Sequence, residues 1–339
     1  MSSTDGQTIR TPNELLGAAR VMTEPSLRAV VGELPEPLRH MGGYHFGWWD
    51  SEGTPTAASS GKSIRAALFF AAASACGAAP QSLATAAAAI ELVHNFTLLH
   101  DDVMDRDRTR RGRETVWSLW GIPDAILLGD AMHAAAGKCL VTSPRTAIGL
   151  VRLEDAVIEL CRGQQEDCAF ESIPPANGEE YSRMAMGKTG ALMGAACALG
   201  AELADGDQHV VAAMDTFGRQ VGVSFQIVDD LIGIWGDPAV TGKPVGNDLV
   251  NRKQTMPIVV ALRSGTPAGT RLQKLYELPR ALTPEEVSLA AELVEESGGR
   301  RAAQELAERL LAQALAALPG ELATTDLITL AGVVAHRDR

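Results

Sequence analysis

Aromatic side chains are scarce in this sequence, 4% of 339 residues, and strict apolar–polar alternation is almost absent. Sheet sandwiches and barrels draw on both features, so an all-β fold is excluded. The cysteines, Cys76, Cys139, Cys161, Cys168 and Cys197, are odd in number and contain no CxxC pair. That argues against a disulfide framework or a zinc knuckle and for reduced core thiols in a cytoplasmic protein. Basic excess is missing too: 30 Lys and Arg against 42 Asp and Glu leave a net charge of −12. Nucleic acid and anionic membrane surfaces are therefore not expected partners. The opening MSSTDGQTIRTPNELLG has no basic-then-apolar signal pattern. Residues 66–90 carry no charge, yet Gly77-Ala-Ala-Pro80-Gln-Ser interrupts them. Two buried helices joined by a turn are expected there, and no membrane span.

What is present is alanine and helical spacing. The hydrophobic fraction is 46%, and apolar residues recur at the helical period, as in Val210, Met214, Phe217, Val221, Phe225 and Val228. The spacing predicts an all-α protein with frayed residues 1–12, and the length by itself allows two domains. Helices are expected from Asn13, from Thr23-Glu-Pro25, from Lys62 with a break near Pro80 and on to Asp107, and over 117–136, 147–171, 179–203 and 207–236. Thr283-Pro-Glu-Glu286 reads as another helix start, and Ser297-Gly-Gly299 as a break. Tyr44, His45, Phe46, Trp48 and Trp49 form an aromatic loop that is either a packed satellite of the core or a docking surface.

Two constellations carry chemistry. His94-Asn-Phe-Thr-Leu-Leu-His-Asp101-Asp102-Val-Met-Asp105 ends the alanine-rich run. At 3.6 residues per turn Asp101 and Asp105 share a face, Asp102 lies beside them, and His94 stands two turns earlier. Three neighbouring carboxylates repel unless a cation sits among them, and hard oxygen ligands suit Mg2+. Arg106, Arg108, Arg110, Arg111 and Arg113 follow, forks that match phosphate. The second constellation is Phe225-Gln226-Ile-Val-Asp229-Asp230, followed by a polar loop with Lys243 and by Arg252-Lys253. Carboxylates followed by cations, twice, point to a metal-bridged diphosphate.

In these motifs the sequence resembles the trans-type isoprenyl diphosphate synthases, or polyprenyl synthetases. The likeness is densest over residues 60–260. It implies one domain over 13–339, a bundle of about a dozen helices around a central cavity, working as a homodimer on isopentenyl diphosphate and an allylic diphosphate. It implies about three Mg2+ per site, replaceable by Mn2+, with Asp101, Asp105 and Asp229 as ligands and Asp102 and Asp230 completing the motifs. Gly61-Lys62-Ser-Ile-Arg65 resembles the family's GKxxR, which puts Lys62 and Arg65, with His94 and Arg111, on isopentenyl diphosphate. Arg110, Lys188, Thr189, Gln226 and Lys243 are implied on the allylic diphosphate, and Lys253 joins the substrate-binding set. The aromatic loop is similar to that of bacterial members packaged inside protein shells, which implies a shell-forming partner.

The likeness has departures. The second motif is usually DDxxD, and its last position here is Gly233; a loosened outer contact is expected rather than a dead site. Ser63, Ala66 and Asn251 replace commoner family residues. A class I terpene cyclase would need a metal triad that Asn247, Asn251 and Thr255 do not supply. A non-catalytic partner subunit would be expected to lack one aspartate pair, and both are present. For product length, the family associates an aromatic residue five before the first motif and a small one at four with a C20 product. Phe96 and Thr97 hold those positions, so geranylgeranyl diphosphate is expected, with farnesyl (C15) or longer products as alternatives. Helix geometry puts Thr97 on the metal face and turns Phe96 about 140° away, so the aromatic's view of the cavity comes from the family rule alone.

Overall fold

The computed structural model describes residues 9–56, 58, 61–141, 146–170, 177–236 and 246–335. Among these, helices account for nearly everything apart from one two-stranded hairpin. The chain divides into two compact units, one of residues 1–151, 196–214 and 318–333, the other of 152–195, 215–317 and 334–339.

In the first unit, α1 (Pro12–Gly32) starts at Thr11, which closes a capping box with Glu14. The helix runs through Pro25 without a second start: the expected new helix at Thr23 does not form, and Thr23 instead donates its hydroxyl to the Ala19 carbonyl at 2.9 Å. α2 spans Leu38–His45 and α3 Ile64–Ala75. The uncharged run breaks as expected: a 3-10 turn at Pro80–Leu83 leads into α4, Ala84–Met104. The stretch Pro80–Met104 is long and apolar enough to cross a membrane, but 67% of its apolar window is buried inside the protein. Ala87, Ala88, Ala89, Ile90, Leu92 and Val93 are all 0% exposed, so α4 is a core helix. Alanine lets its neighbours approach closely; helix propensity and packing agree here. α5 (Val116–Trp120) and α6 (Ile122–Val141) replace the single expected helix over 117–136. The separation falls at Gly121, whose φ of +100° is open to glycine.

The aromatic loop is packed. Tyr44, Phe46 and Trp48 are buried, and Trp49 donates its indole N–H to the His40 carbonyl at 2.8 Å. Arg113 lies 4.0 Å over the Tyr44 ring and Arg28 4.4 Å over Trp48.

The second unit contains most of α7 (Thr146–Phe170), α8 (Gly178–Ala185), a π-helical turn at Met186–Gly190, the start of α9 (Ala191–Leu203) and most of α10 (Gln208–Trp235). The helix expected over 179–203 is thus continuous but carries a π-bulge. Helix α7 and the π-helical turn touch backbone to backbone there: a Cβ on Gly163 would stand 2.7 Å from the Gly187 carbonyl carbon. Beyond lie α11 (Asn247–Val250), α12 (Met256–Arg263), α13 (Pro267–Tyr276), α14 (Pro284–Glu296) and α15 (Gly299–Ala317). The capping box expected at Thr283 and Glu286 is present. α16, Thr325–Ala335, returns mainly to the first unit. All five cysteines lie among the described residues as thiols; Cys139 and Cys197 are buried, whereas Cys161 is exposed rather than in the core.

Candidate active site

The first constellation ends differently from its expectation. α4 stops at Met104, not at Asp107, because Arg106 takes a left-handed φ of 57°. The Asp107 N–H then bonds back to the Asp102 carbonyl at 3.0 Å, the long bond of a Schellman stop. The chain thereby leaves the helix, and the arginines stand on a hairpin, β1 (Thr109–Arg110) and β2 (Arg113–Glu114). Arg111 and Gly112 form its two-residue turn with φ of 53° and 74°, the primed type that suits a tight hairpin. Arg113 anchors the hairpin to the aromatic loop, donating to the carbonyls of Tyr44 at 2.8 Å and Trp49 at 3.0 Å.

The carboxylates of each pair separate by burial. Asp102 is 2% exposed, and Arg110 reaches one of its oxygens with Nε and Nη2, both at 2.7 Å. Burial still raises the Asp102 carboxyl to about 6 against the pull of Arg110. Asp101 is partly exposed and Asp105 exposed. In the second pair Asp230 is 4% exposed and accepts from the Tyr181 hydroxyl, from Met256 N–H at 3.0 Å and from Gln226 Nε2 at 3.1 Å. Burial raises it to about 7, the Tyr181 hydrogen bond opposing. Asp229 is partly exposed. The first member of each pair is thus the more exposed, and the second is buried against the protein's own donors. Hard carboxylate oxygens on Asp101 and Asp105 in the first unit, and on Asp229 in the second, are of the kind Mg2+ takes; among the described residues no three acidic, His or Cys side chains form a cage.

Around the first pair, Lys62 is exposed, Arg65 partly buried, and Arg65 Nη1 lies 3.2 Å from His94 Nε2. Burial, then Arg65 and Arg111, hold His94 well below the usual imidazole range. A cleft lined by His45, Asp102, Arg110, Arg111 and Arg113 adjoins them. Phe96 is 7% exposed; its ring tilts on His133 of α6 at 5.1 Å and meets the edge of His100 at 5.5 Å. Thr97, 8% exposed, donates to the His94 carbonyl at 2.8 Å.

In the second unit, Lys188 and Thr189 occupy the π-helical turn; such insertions recur at functional sites because they re-aim side chains. Thr189 donates to Gln226 Oε1 at 2.7 Å, and Gln226 in turn to Asp230. Lys188 Nζ lies 2.6 Å and Lys253 Nζ 3.7 Å from Asp167 Oδ2. Against the upward push of desolvation, these lysines hold the partly buried Asp167 carboxyl below its ordinary range. Lys243 lies outside the described residues.

Four residues of these networks escaped the sequence reading: Glu91, Asp167, Tyr181 and Asp248. Glu91 had a signal, being the sole charge between Arg65 and Asp101; a lone carboxylate in an apolar run needs a partner. Asp248 fills the gap at Gly233. A Cβ there would stand 2.7 Å from Asp248 Cγ and closer still to Oδ2.

The polyprenyl synthetase family matches residues 51–294, a span that takes in both aspartate pairs, the arginine hairpin and the lysine–threonine π-turn. The chain belongs to that family and is a prenyltransferase. It is 50% identical over 327 residues to the geranylgeranyl diphosphate synthase of Mycobacterium tuberculosis, covering 96% of this chain and 93% of the relative. To the (2E,6E)-farnesyl diphosphate synthase of Mycobacterium bovis it is 44% identical, over 89% of this chain and 85% of that one. A crystal structure of polyprenyl synthetase from Streptomyces coelicolor superposes with a TM-score of 0.89 at 38% identity, covering 94% of this chain and 98% of that one.

Proposed function

We propose that this chain condenses isopentenyl diphosphate head-to-tail with allylic diphosphates to give geranylgeranyl diphosphate, releasing diphosphate. The observation that carries the reading is 50% identity to a geranylgeranyl diphosphate synthase along 327 residues, with both aspartate pairs present. Asp101, Asp105 and Asp229 would hold Mg2+, which when bound neutralises charge growing on the leaving diphosphate. Lys188, Lys253, Lys243 and Arg110 take up the remaining charge, which grows as the carbon–oxygen bond breaks, so fixed cations favour the transition state over the ground state. Lys62, Arg65, His94 and Arg111 hold isopentenyl diphosphate, whose double bond attacks the allylic carbon. Asp102 and Asp230 act from within, the former orienting Arg110 and the latter Gln226. No side chain is assigned as base; the released diphosphate takes the proton.

The polypeptide is read as cytoplasmic and homodimeric. Ile122, Leu127, Ile148 and Val151 are 49–60% exposed on α6 and the start of α7, apolar surface that a second copy would cover. The shell partner rests on the aromatic loop alone, and burial of Tyr44, Phe46 and Trp48 lends it no support. Incubation with Mg2+, isopentenyl diphosphate and farnesyl diphosphate, followed by dephosphorylation and chromatography, tests the reading: a C20 alcohol is expected. A C15 product from geranyl diphosphate that farnesyl diphosphate cannot extend would favour the farnesyl alternative, which the 44% relative represents.

A further inference from the structure

We infer that Glu91 is a positioning residue for the isopentenyl diphosphate pocket, its buried carboxylate gathering the guanidinium groups that receive the diphosphate. The inference rests on the assignment of Lys62, Arg65, His94 and Arg111 to that substrate.

Glu91 lies mid-helix in α4, one turn before His94, and is 6% exposed. A carboxylate so placed must be compensated or it would be expelled. Its Oε1 accepts the Ala66 N–H at 3.1 Å, in the first turn of α3. The N-cap residue of that helix, Ser63, has a left-handed φ of 51° and gives no side-chain cap. Glu91 therefore caps α3 from another helix, and it fixes where Arg65 begins.

Burial pushes the Glu91 carboxyl up, and three cations oppose it: Arg65, Arg111 and Arg20. Each comes from a separate element. Arg20 of α1 donates through Nη2 to the Gly61 carbonyl at 2.6 Å. Arg111, from the hairpin turn, lays its guanidinium against Gly61, where an added Cβ would stand 2.6 Å from Nη2. Arg65 leads α3 and meets His94 at 3.2 Å. Like charges so gathered repel, and without a carboxylate among them the forks would turn outward to water. One carboxylate against three guanidinium groups leaves the cluster positive, so it is ordered yet still attracts a diphosphate. Glycine at position 61, with φ of +104°, permits the close approach of Arg111.

Glu91→Gln separates this role from simple capping. The amide oxygen still accepts the Ala66 N–H, but the charge is gone. The expected result is a KM for isopentenyl diphosphate raised about tenfold, the size of one charged contact, with the allylic KM within about twofold of wild type. Arg20→Gln, at an exposed position, is expected to raise the same KM a few-fold and serves if Glu91→Gln does not fold. Lys62→Ala and Arg65→Ala run alongside. If they raise the isopentenyl KM while Glu91→Gln, or in its absence Arg20→Gln, leaves it at the wild-type value, the positioning role is overturned alone. If they raise only the allylic KM, the substrate assignment fails and the inference falls with it.

Discussion

The carboxylate of Asp248 occupies the space that any side chain at Gly233 would need, with Asp248 Cγ only 2.7 Å from where a Cβ would stand. The third position of the second aspartate motif is thus filled by a carboxylate from farther along the chain. Gly233→Asp would set one carboxylate against another and push Asp248 aside. We expect it to lower kcat/KM about tenfold rather than improve the enzyme. Combined with Asp248→Ala, it should lose less than the two single changes summed, a coupling that a double-mutant cycle reads directly. Strict additivity would show that the two positions do not share the space.

Asp101→Ala and Asp229→Ala should each cut turnover by at least the ~10²–10³ that one electrostatic contact is worth in other enzymes. Chelation should abolish activity, and Mg2+ or Mn2+ should restore it. Near-normal turnover in either folded variant would remove that residue from the metal set.

Asp230→Ala belongs to a different category. It strips acceptors from the Tyr181 hydroxyl and the Met256 N–H, and buried donors left unpaired cost about 1–3 kcal/mol each. Its melting temperature should fall by several degrees, and by more than that of Asp229→Ala, the more exposed of the two. Equal thermal shifts for the two variants would contradict the division between the more exposed and the buried aspartates.

Phe96 and Thr97 are expected to set product length. Each added prenyl unit gains buried methylenes at ~0.8 kcal/mol apiece, so elongation ends only where a side chain blocks it. Phe96→Ala should release products longer than C20, and Thr97→Phe shorter ones. His133, whose ring lies 5.1 Å from that of Phe96, braces the block, so His133→Ala should lengthen products as well. Wild-type product length in Phe96→Ala would place the floor elsewhere.

Burial and the neighbouring arginines hold His45 down at about 3, while its Nε2 pairs with Asn95 Oδ1 at 3.0 Å. Between pH 3 and the ordinary imidazole value of about 6.5, the unfolded chain binds a proton that the folded one does not. His45 therefore makes stability rise with pH across that window and withdraws it as pH falls. The raised carboxyls of Asp102 and Asp230 work in the opposite sense, so the test is a difference: Tm against pH for wild type and for His45→Gln. The variant should lose less Tm than wild type on going from pH 7 to pH 4. Parallel curves would dismiss His45 as the cause.

The helical class, the core position of α4 and both aspartate pairs were legible in the sequence because they depend on local spacing. Alanine density, a 3.6-residue period and carboxylates one turn apart remain what they are wherever the helix packs. The capping box at Thr283 and Glu286 was legible for the same reason. What the spacing could not decide was how each carboxylate is partnered. Asp101 and Asp102 are adjacent and chemically identical; only the return of the hairpin, through the left-handed turns at Arg106, Arg111 and Gly112, brings Arg110 onto one of them. Likewise, the chain gives no hint that Asp248 stands in the place of a missing side chain at Gly233, or that Glu91 caps a helix beginning 27 residues earlier at Ile64. Those relations join residues distant in sequence, and burial, which makes an unpaired charge costly, selects among the partners that the tertiary fold brings within reach.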